Sequence, residues 1–455
     1  MFRQKKKCFP LFNLERNLPY LKKFPLLPQK TRVSARREKK QRKREREMIR
    51  FSFVFFDLFI VFFVFFFGSS SSSMSRSTSR SEIKSMEKKS EKRYDGTCWQ
   101  SDERVSALIA SDLVFPGTHD SGTYWLSEKF QGGSQTQIPE WVKDVTQLAK
   151  KVDIPMNELV SRWAKTQKQT IFEQLRTGAR YVDLRCGYQK DDGSWKVHHG
   201  LIGVDCLTVL EDVKNFLETF ETEVVILEVS HFYGDPEEAN VEELASMVLG
   251  TLSEFVVPYY SSDGNSTSYS SMESGFWQTP LKESVHKNER VLIAFENFND
   301  FNTVSKHEPF LWPLAMIENS YADTDDFKKM KEFNYDVVRD FNNQTESTKK
   351  KGMQKLSWIL TTQTKTVENS IWPLINNHHP KTLIDLELKY ANDKKELSDF
   401  VALVVKDLTC QFPQVLSIDC WFNDPDTYWS LARDIALKQN ENKNNKNTSC
   451  KALLL

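Results

Sequence analysis

At 455 residues the chain is too long for one small domain and suits one large barrel with tails. Apolar residues make up 39%, with 11 Trp and 32 Phe, which is enough for a sizeable core. The formal net charge of zero hides a split: residues 1–94 hold 25 Lys or Arg against 8 Asp or Glu, and the rest of the chain carries the opposite excess. The acidic part argues against nucleic-acid binding by that part, whereas a basic arm suits an anionic lipid surface, nucleic acid or plain solvation. The seven cysteines are scattered with no Cys-x-x-Cys pair, so neither a zinc site nor a disulfide framework is expected.

Residues 1–50 end in a dense charge run from Arg36 to Arg50. Phe51 to Phe67 is almost wholly apolar, broken only by Asp57. Seventeen residues are at the short end of what spans a bilayer, so 51–67 reads as a signal-anchor. The competing reading is translated low-complexity sequence running into Ser69 to Ser73, with Met48 or Met74 as the start.

From about Asp95 the pattern changes. Strands are predicted at Asp112–Pro116, Arg180–Arg185, Trp195–His199, Glu223–His231, Val291–Glu296, Leu314–Glu318, Ser357–Gln363 and Val415–Cys420. Helices are predicted around Leu207–Phe220 and over Glu237–Val256, Asp325–Asn342, Leu383–Leu408 and Asp424–Lys438. Strands alternating with helices imply an α/β fold with a mainly parallel sheet, and about eight strands suit a closed (β/α)8-like barrel over 95–440. Residues 441–455 read as an Asn/Lys-rich disordered tail. Sequons stand at Asn265, Asn343 and Asn447.

Four segments carry chemistry. In Phe115-Pro-Gly-Thr-His-Asp-Ser-Gly-Thr-Tyr124 an apolar strand delivers His119 and Asp120 to its C-terminal end, where barrel catalytic groups gather. A histidine satisfied by a turn carbonyl is the bland alternative. In Arg176-Thr-Gly-Ala-Arg-Tyr-Val-Asp-Leu-Arg185, Asp183 and Arg185 share one strand face because alternate residues point the same way. Arg185 suits a phosphate through its planar fork of donors, or a structural ion pair. Val197-His-His-Gly200 brings His198 and His199 to a second strand end. Two histidines suit an acid–base division, with a metal site as the competing reading. In Leu416-Ser-Ile-Asp419 the last strand would pair with the first, setting Asp419 beside His119 to fix its tautomer.

Together with Glu221-Thr-Glu-Val-Val-Ile-Leu-Glu-Val-Ser-His-Phe-Tyr233, these segments resemble the phosphatidylinositol-specific phospholipase C X-domain proteins, in their single-domain, bacterial-like branch. The resemblance covers roughly Asp95 to Asn440 and implies a distorted TIM barrel. It implies that His119 is the general base toward an inositol 2-hydroxyl and His199 the general acid toward the leaving diacylglycerol oxygen. It implies that Arg185 stabilises the phosphate, that Asp419 orients His119, and that Asp120 and Asp183 are further active-site carboxylates. In the calcium-dependent branch the position of Asp120 is typically Asn and that of Arg185 an acidic ligand, so here no metal or other cofactor is expected. Ser230, Glu296, Glu318 and Tyr321 are the candidate substrate contacts; Ser230 and Glu296 stand where the bacterial pattern is basic, and Glu318 and Tyr321 would meet the inositol ring.

The expected activity is a metal-independent phosphodiesterase acting on a phosphatidylinositol-like lipid at a membrane surface, as a monomer. Tyr124 and Trp125 could touch the bilayer or belong to the core. A lipid-binding barrel with negligible turnover and a metal-dependent glycerophosphodiester-type enzyme are the alternatives.

Overall fold

The computed structural model describes residues 96–130, 149, 154–233, 240–259, 275–297, 303–307, 309–343, 352–371, 380–391, 394–407 and 411–444. The basic arm, the apolar segment 51–67, the sequons Asn265 and Asn447, and residues 445–455 of the tail lie outside the described residues.

Eleven strands form one mixed sheet: β1 (Phe115–Thr118), β2 (Leu126–Phe130), β3 (Tyr181–Gln189), β4 (Ser194–His198), β5 (Leu201–Asp205), β6 (Val225–Tyr233), β7 (Val291–Phe295), β8 (Trp312–Pro313), β9 (Ile317–Ser320), β10 (Met353–Trp358) and β11 (Val415–Ile418). Eight run parallel in the order β9-β10-β11-β1-β3-β6-β7-β8. That is the strand order of a (β/α)8-like barrel. Among the described residues no ladder joins β8 to β9, so the ring has one open seam. Helices of six or more residues are α1 (Met156–Ala164), α2 (Ile171–Arg176), α3 (Cys206–Thr219), α4 (Val241–Leu252), α5 (Leu281–His286), α6 (Phe327–Asn342), α7 (Thr364–Ile371), α8 (Leu383–Tyr390), α9 (Lys394–Asp407) and α10 (Pro425–Asn444).

The expected architecture holds, with local corrections. Trp195–His199 is not a barrel strand: β4 leaves the ring in an antiparallel run β3-β4-β5-β2. The strand expected over Ser357–Gln363 starts earlier, at Met353, and that expected over Leu314–Glu318 becomes a short 3-10 turn followed by β9. The helix expected over Leu383–Leu408 is two helices, α8 and α9, and the last helix continues to Asn444, past the expected tail boundary. No helix of the described residues is long and apolar enough to cross a membrane.

The strand period of two sorts each barrel strand. Val182 and Leu184 of β3, Val225, Leu227 and Val229 of β6, and Ile293 and Phe295 of β7 face outward and pack under α3 and α4. Leu356, Trp358, Leu416 and Ile418 do the same under α6 to α10. Tyr181, Ile226, Leu292, Ala294 and Val415 form the other set. Each outward Val, Leu or Ile that is fully covered contributes about 1.5–3 kcal/mol relative to exposure. Gly117 keeps β1 against β3, because a side chain there would run into the Tyr181 carbonyl.

The N-terminal end of the ring is locked by charge. Arg180 and Glu223 are both fully buried; Arg180 Nε and Nη2 donate to Glu223 Oε2 at 2.9 and 2.6 Å. The remaining guanidinium donors reach the carbonyls of Leu175, Ala179 and Thr97. A buried pair of this kind is costly to break from one side, since the survivor is left charged and unpaired. Glu223→Ala is therefore expected to lose about 3–5 kcal/mol in urea unfolding. Glu332→Ala, which removes the exposed Lys328–Glu332 pair on α6, is expected to change stability by less than about 0.5 kcal/mol.

Candidate active site

Five strands of the ring, β1, β3, β6, β9 and β10, present residues to one cleft of about 440 Å³. His119, Arg185, His199, His231, Tyr321, Asp323 and Thr361 line it. The site lies at the C-terminal ends of the parallel strands, where loops can present side chains that the barrel holds still.

Backbone tension marks this end. Asp120 (φ 46°), His231 (φ 53°) and Cys420 (φ 54°) adopt the left-handed conformation at the ends of β1, β6 and β11. For non-glycine residues this costs about 1 kcal/mol or more each, so the surrounding bonds must hold them. They are visible. Thr166 Oγ1 and Gln167 Nε2 both donate to the His119 carbonyl, at 3.1 and 3.2 Å. Gln167 Nε2 also reaches the Ile418 carbonyl, and its Oε1 accepts from Trp421 N. The Thr166 carbonyl accepts from Cys420 N. One dipeptide thus ties the ends of β1 and β11 together.

That pairing sets the first histidine. β1 and β11 run parallel in register, Thr118 against Ile418. His119 Nδ1 lies 2.9 Å from Asp419 Oδ1. A carboxylate accepts only, so Nδ1 carries the hydrogen and Nε2 presents its lone pair. Arg185 Nη2 donates to that lone pair at 2.9 Å.

Arg185 is the hub. Its Nε lies 2.5 Å from Asp120 Oδ1 and its Nη2 3.4 Å from Asp183 Oδ2. Both carboxylates are fully buried, while the Arg185 side chain keeps 18% exposure to the cleft. Asp183 Oδ2 also accepts from Asp120 N at 3.2 Å, and Ser121 Oγ accepts from Asp183 N at 2.8 Å. Thr118 Oγ1 bonds both Ser121 Oγ and Gln174 Oε1. Asp120 reaches both histidines: its Oδ2 is 3.5 Å from His119 Nε2 and 3.4 Å from His199 Nδ1. His199 Nδ1 also lies 2.7 Å from the Ala164 carbonyl, to which it donates.

The charges follow from this geometry. Burial alone would raise the Asp183 carboxyl, but the Arg185 guanidinium, with Lys355, His119 and His231, outweighs it and holds the group well below the usual range. Asp120 behaves alike, burial being outweighed by Arg185 and the two histidines. Burial pushes His119 and His199 below the ordinary imidazole value, against the pull of Asp120. His119, Asp120 and Asp183 also have the donor types of a metal site, within 4.8 Å of one another. Arg185 lies among them and already compensates both acids.

The structure brings His119, Asp120, Asp183, Arg185, His199 and Asp419 into one cluster. It does not bring all four expected substrate contacts there. Tyr321 lines the cleft and is 49% exposed. Ser230 is fully buried in β6, donating to Glu228 Oε1 at 2.8 Å. Glu296 accepts from His231 N, and Glu318 sits on β9; neither lines the cleft. The reason is register: Ser230 shares the inner face with Glu228, while the left-handed turn at His231 sends the next residue to the rim. His198 lies against the His231 carbonyl, and burial takes its imidazole down to about 4. Sequence reasoning missed Thr166 and Gln167, which have no motif, and the 357–364 wall, which was taken for strand.

Residues 157–270 match the family described as phosphatidylinositol-specific phospholipase C, X domain. Over those residues the chain is similar to PI-PLC X domains. It is 29% identical to PI-PLC X domain-containing protein 2 from Homo sapiens over 225 residues, spanning 49% of this chain and 65% of that protein. It is 24% identical to PI-PLC X domain-containing protein 3 from Mus musculus over 320 residues, 67% of this chain and 90% of that protein. A solved phosphatidylinositol-specific phospholipase C from Listeria monocytogenes aligns at TM-score 0.46 and 16% identity, over 74% of this chain and 97% of that one. The barrel assignment rests on the strand order rather than on that superposition.

The hub gives a pH-dependent expectation for the barrel. With Arg185 present, Asp183 contributes stability above its ordinary value near 3.8, lost as pH falls below it. In Arg185→Met the largest opposing charge is gone, so burial raises both acids relative to wild type. The variant is expected to be about 3 kcal/mol less stable at pH 7. That gap should narrow as pH falls from 7 to 4 and the stranded acids take up protons. Urea unfolding at the two pH values measures it, and a gap that does not narrow would contradict this charge assignment.

Proposed function

We propose that the barrel is a phosphodiesterase that cleaves a phosphatidylinositol-like lipid without a metal, dividing acid and base work between two histidines. The observation that supports this most is the shared cluster: two histidines from different strand ends flank one arginine–carboxylate group in one cleft.

The roles follow from which atoms are engaged. His119 holds its proton on Nδ1 against Asp419, so Nε2 is the basic atom. It would take the proton of the inositol 2-hydroxyl as that oxygen attacks phosphorus. Asp419 orients the ring and stabilises the imidazolium that forms. Arg185 would turn its exposed donors to the phosphate, whose negative charge grows in the transition state. His199, with Nδ1–H on the Ala164 carbonyl, would give a proton from Nε2 to the departing diacylglycerol oxygen, leaving a cyclic inositol phosphate. Burial depresses His199 in the empty cleft, and a phosphodiester anion beside it acts in the opposite sense, favouring the charged acid form. Asp120 supports both histidines, and Asp183 fixes Asp120 and Arg185.

Tyr321 is proposed to meet the head group at the rim, where it is half exposed. His231 is a third histidine lining the cleft, beside His119 and His199. Trp125, 52% exposed just before β2, and Phe130 at the end of β2 offer apolar side chains to a membrane surface; Tyr124 packs instead against the outer core. Peripheral association with a lipid surface, by a monomer, agrees with these features. The metal-dependent alternative requires a cation between His119, Asp120 and Asp183, the space in which Arg185 pairs with both acids.

The test is release of water-soluble inositol phosphate from phosphatidylinositol vesicles in excess chelator. The wild-type chain is expected to turn over under chelation, and His119→Ala to lose at least about 100-fold in kcat/KM. Turnover that appears only with added calcium would restore the metal-dependent reading. Vesicle binding with no turnover by the folded chain would favour the lipid-binding barrel.

A further inference from the structure

Outside the cleft, two thiols lie closer together than unbonded sulfurs pack. Cys186 sits on β3, one residue past Arg185, and Cys206 is the first residue of α3, directly after β5. Cys206 Sγ points at Cys186 Sγ across 3.1 Å, inside the van der Waals contact of two sulfurs. Both residues are fully buried in the outward core under α3, together with Trp195 and Val197 of β4. Val197 stands directly opposite Cys186 in the β3–β4 ladder. A thiol is a weak donor and a weak acceptor, so an S–H···S bond alone does not draw two sulfurs this close. The two cysteines are 20 positions apart, a spacing with no signature of its own. Scattered spacing argues against a framework of many disulfides, but it does not measure how near two sulfurs come once β4 and β5 fold back on β3.

We propose that Cys186 and Cys206 join in a disulfide when the chain folds in the presence of a disulfide oxidant. The bonded separation is about 2.05 Å, so closing the pair takes a shift of about 1 Å shared between two side chains. The step is thiol–disulfide exchange. The thiolate of one cysteine attacks the oxidant R–S–S–R and releases one R–SH, leaving a mixed disulfide on the chain. The second cysteine attacks that bond and releases the other R–SH. Two cysteine S–H bonds are lost, one Sγ–Sγ bond forms, and the oxidant is reduced to two thiols. Neither sulfur is exposed in the finished barrel, so the exchange belongs to folding, before α3 closes over β3. Burial also pushes the Cys186 thiol well above its ordinary value, which leaves the folded pair little thiolate to react with.

The bond would close residues 186–206 into a loop that holds β4, β5 and the turn presenting His199. One end of that loop is fixed beside Arg185. The cross-link therefore ties the strand of Arg185 to the excursion of His199, and it stabilises the fold by limiting the freedom of the unfolded chain. The bond itself does not depend on the roles proposed for those two residues.

The test uses the full chain. It is unfolded in urea with reductant, refolded with glutathione disulfide, alkylated under denaturing conditions and digested with trypsin. Mass spectrometry is expected to find peptide 186–190 joined to peptide 197–214, two hydrogens lighter than their sum and lost on reduction. The cross-linked chain is expected to unfold about 4 °C above the same chain refolded with reductant. Cys186→Ala/Cys206→Ala should show no such difference between the two refolding conditions. The peptide measurement needs no variant, should that one fail to fold. Recovery of both cysteines as alkylated thiols, or of either one joined to a different cysteine, would overturn the proposal. Equal unfolding midpoints for the cross-linked and reduced chains would overturn the tether.

Discussion

One guanidinium holds this site together. Asp120 and Asp183 are two fully buried carboxylates a few ångströms apart, and two like charges in that setting would protonate or unfold the region. Arg185 reaches both, and its planar fork lets one side chain serve two acids and a histidine at once. A lysine, as a single point charge, could not make the same three contacts.

The barrel supplies what this cluster needs. Residues 181, 183 and 185 of β3 occupy one face, and the layer beneath the site is itself polar: Lys355 Nζ donates to the Tyr181 hydroxyl at 2.7 Å and pairs with Glu228 at 3.2 Å. Polar groups stacked inside a barrel are tolerated only where each finds a partner. Outward-facing Val, Leu and Ile packed under the helices offset that cost, and the buried Arg180–Glu223 lock closes the opposite end. Chemistry and stability are thus separated along the strand axis.

Local backbone strain is concentrated on the chemical side. Asp120, His231 and Cys420 turn left-handed at three strand ends, and each turn redirects a neighbour. Cys420 lets the chain leave β11 directly after Asp419, and Asp120 does so directly after His119. The paired turns explain how adjacent parallel strands bring two side chains within 2.9 Å, with Thr166 and Gln167 bracing both backbones.

The residues alone determined much of this. The alternation in Tyr181–Arg185 assigned Asp183 and Arg185 to one face, and the order of apolar runs implied a parallel ring in which the last strand meets the first. Both depend on local periodicity, which a strand cannot hide. Tertiary structure alone decided the rest. That His198 turns away while His199 enters the cleft depends on the antiparallel excursion of β4 and β5, a pairing with no local signature. The burial of Ser230 and the placement of His231 follow from one positive φ that a non-glycine residue does not advertise.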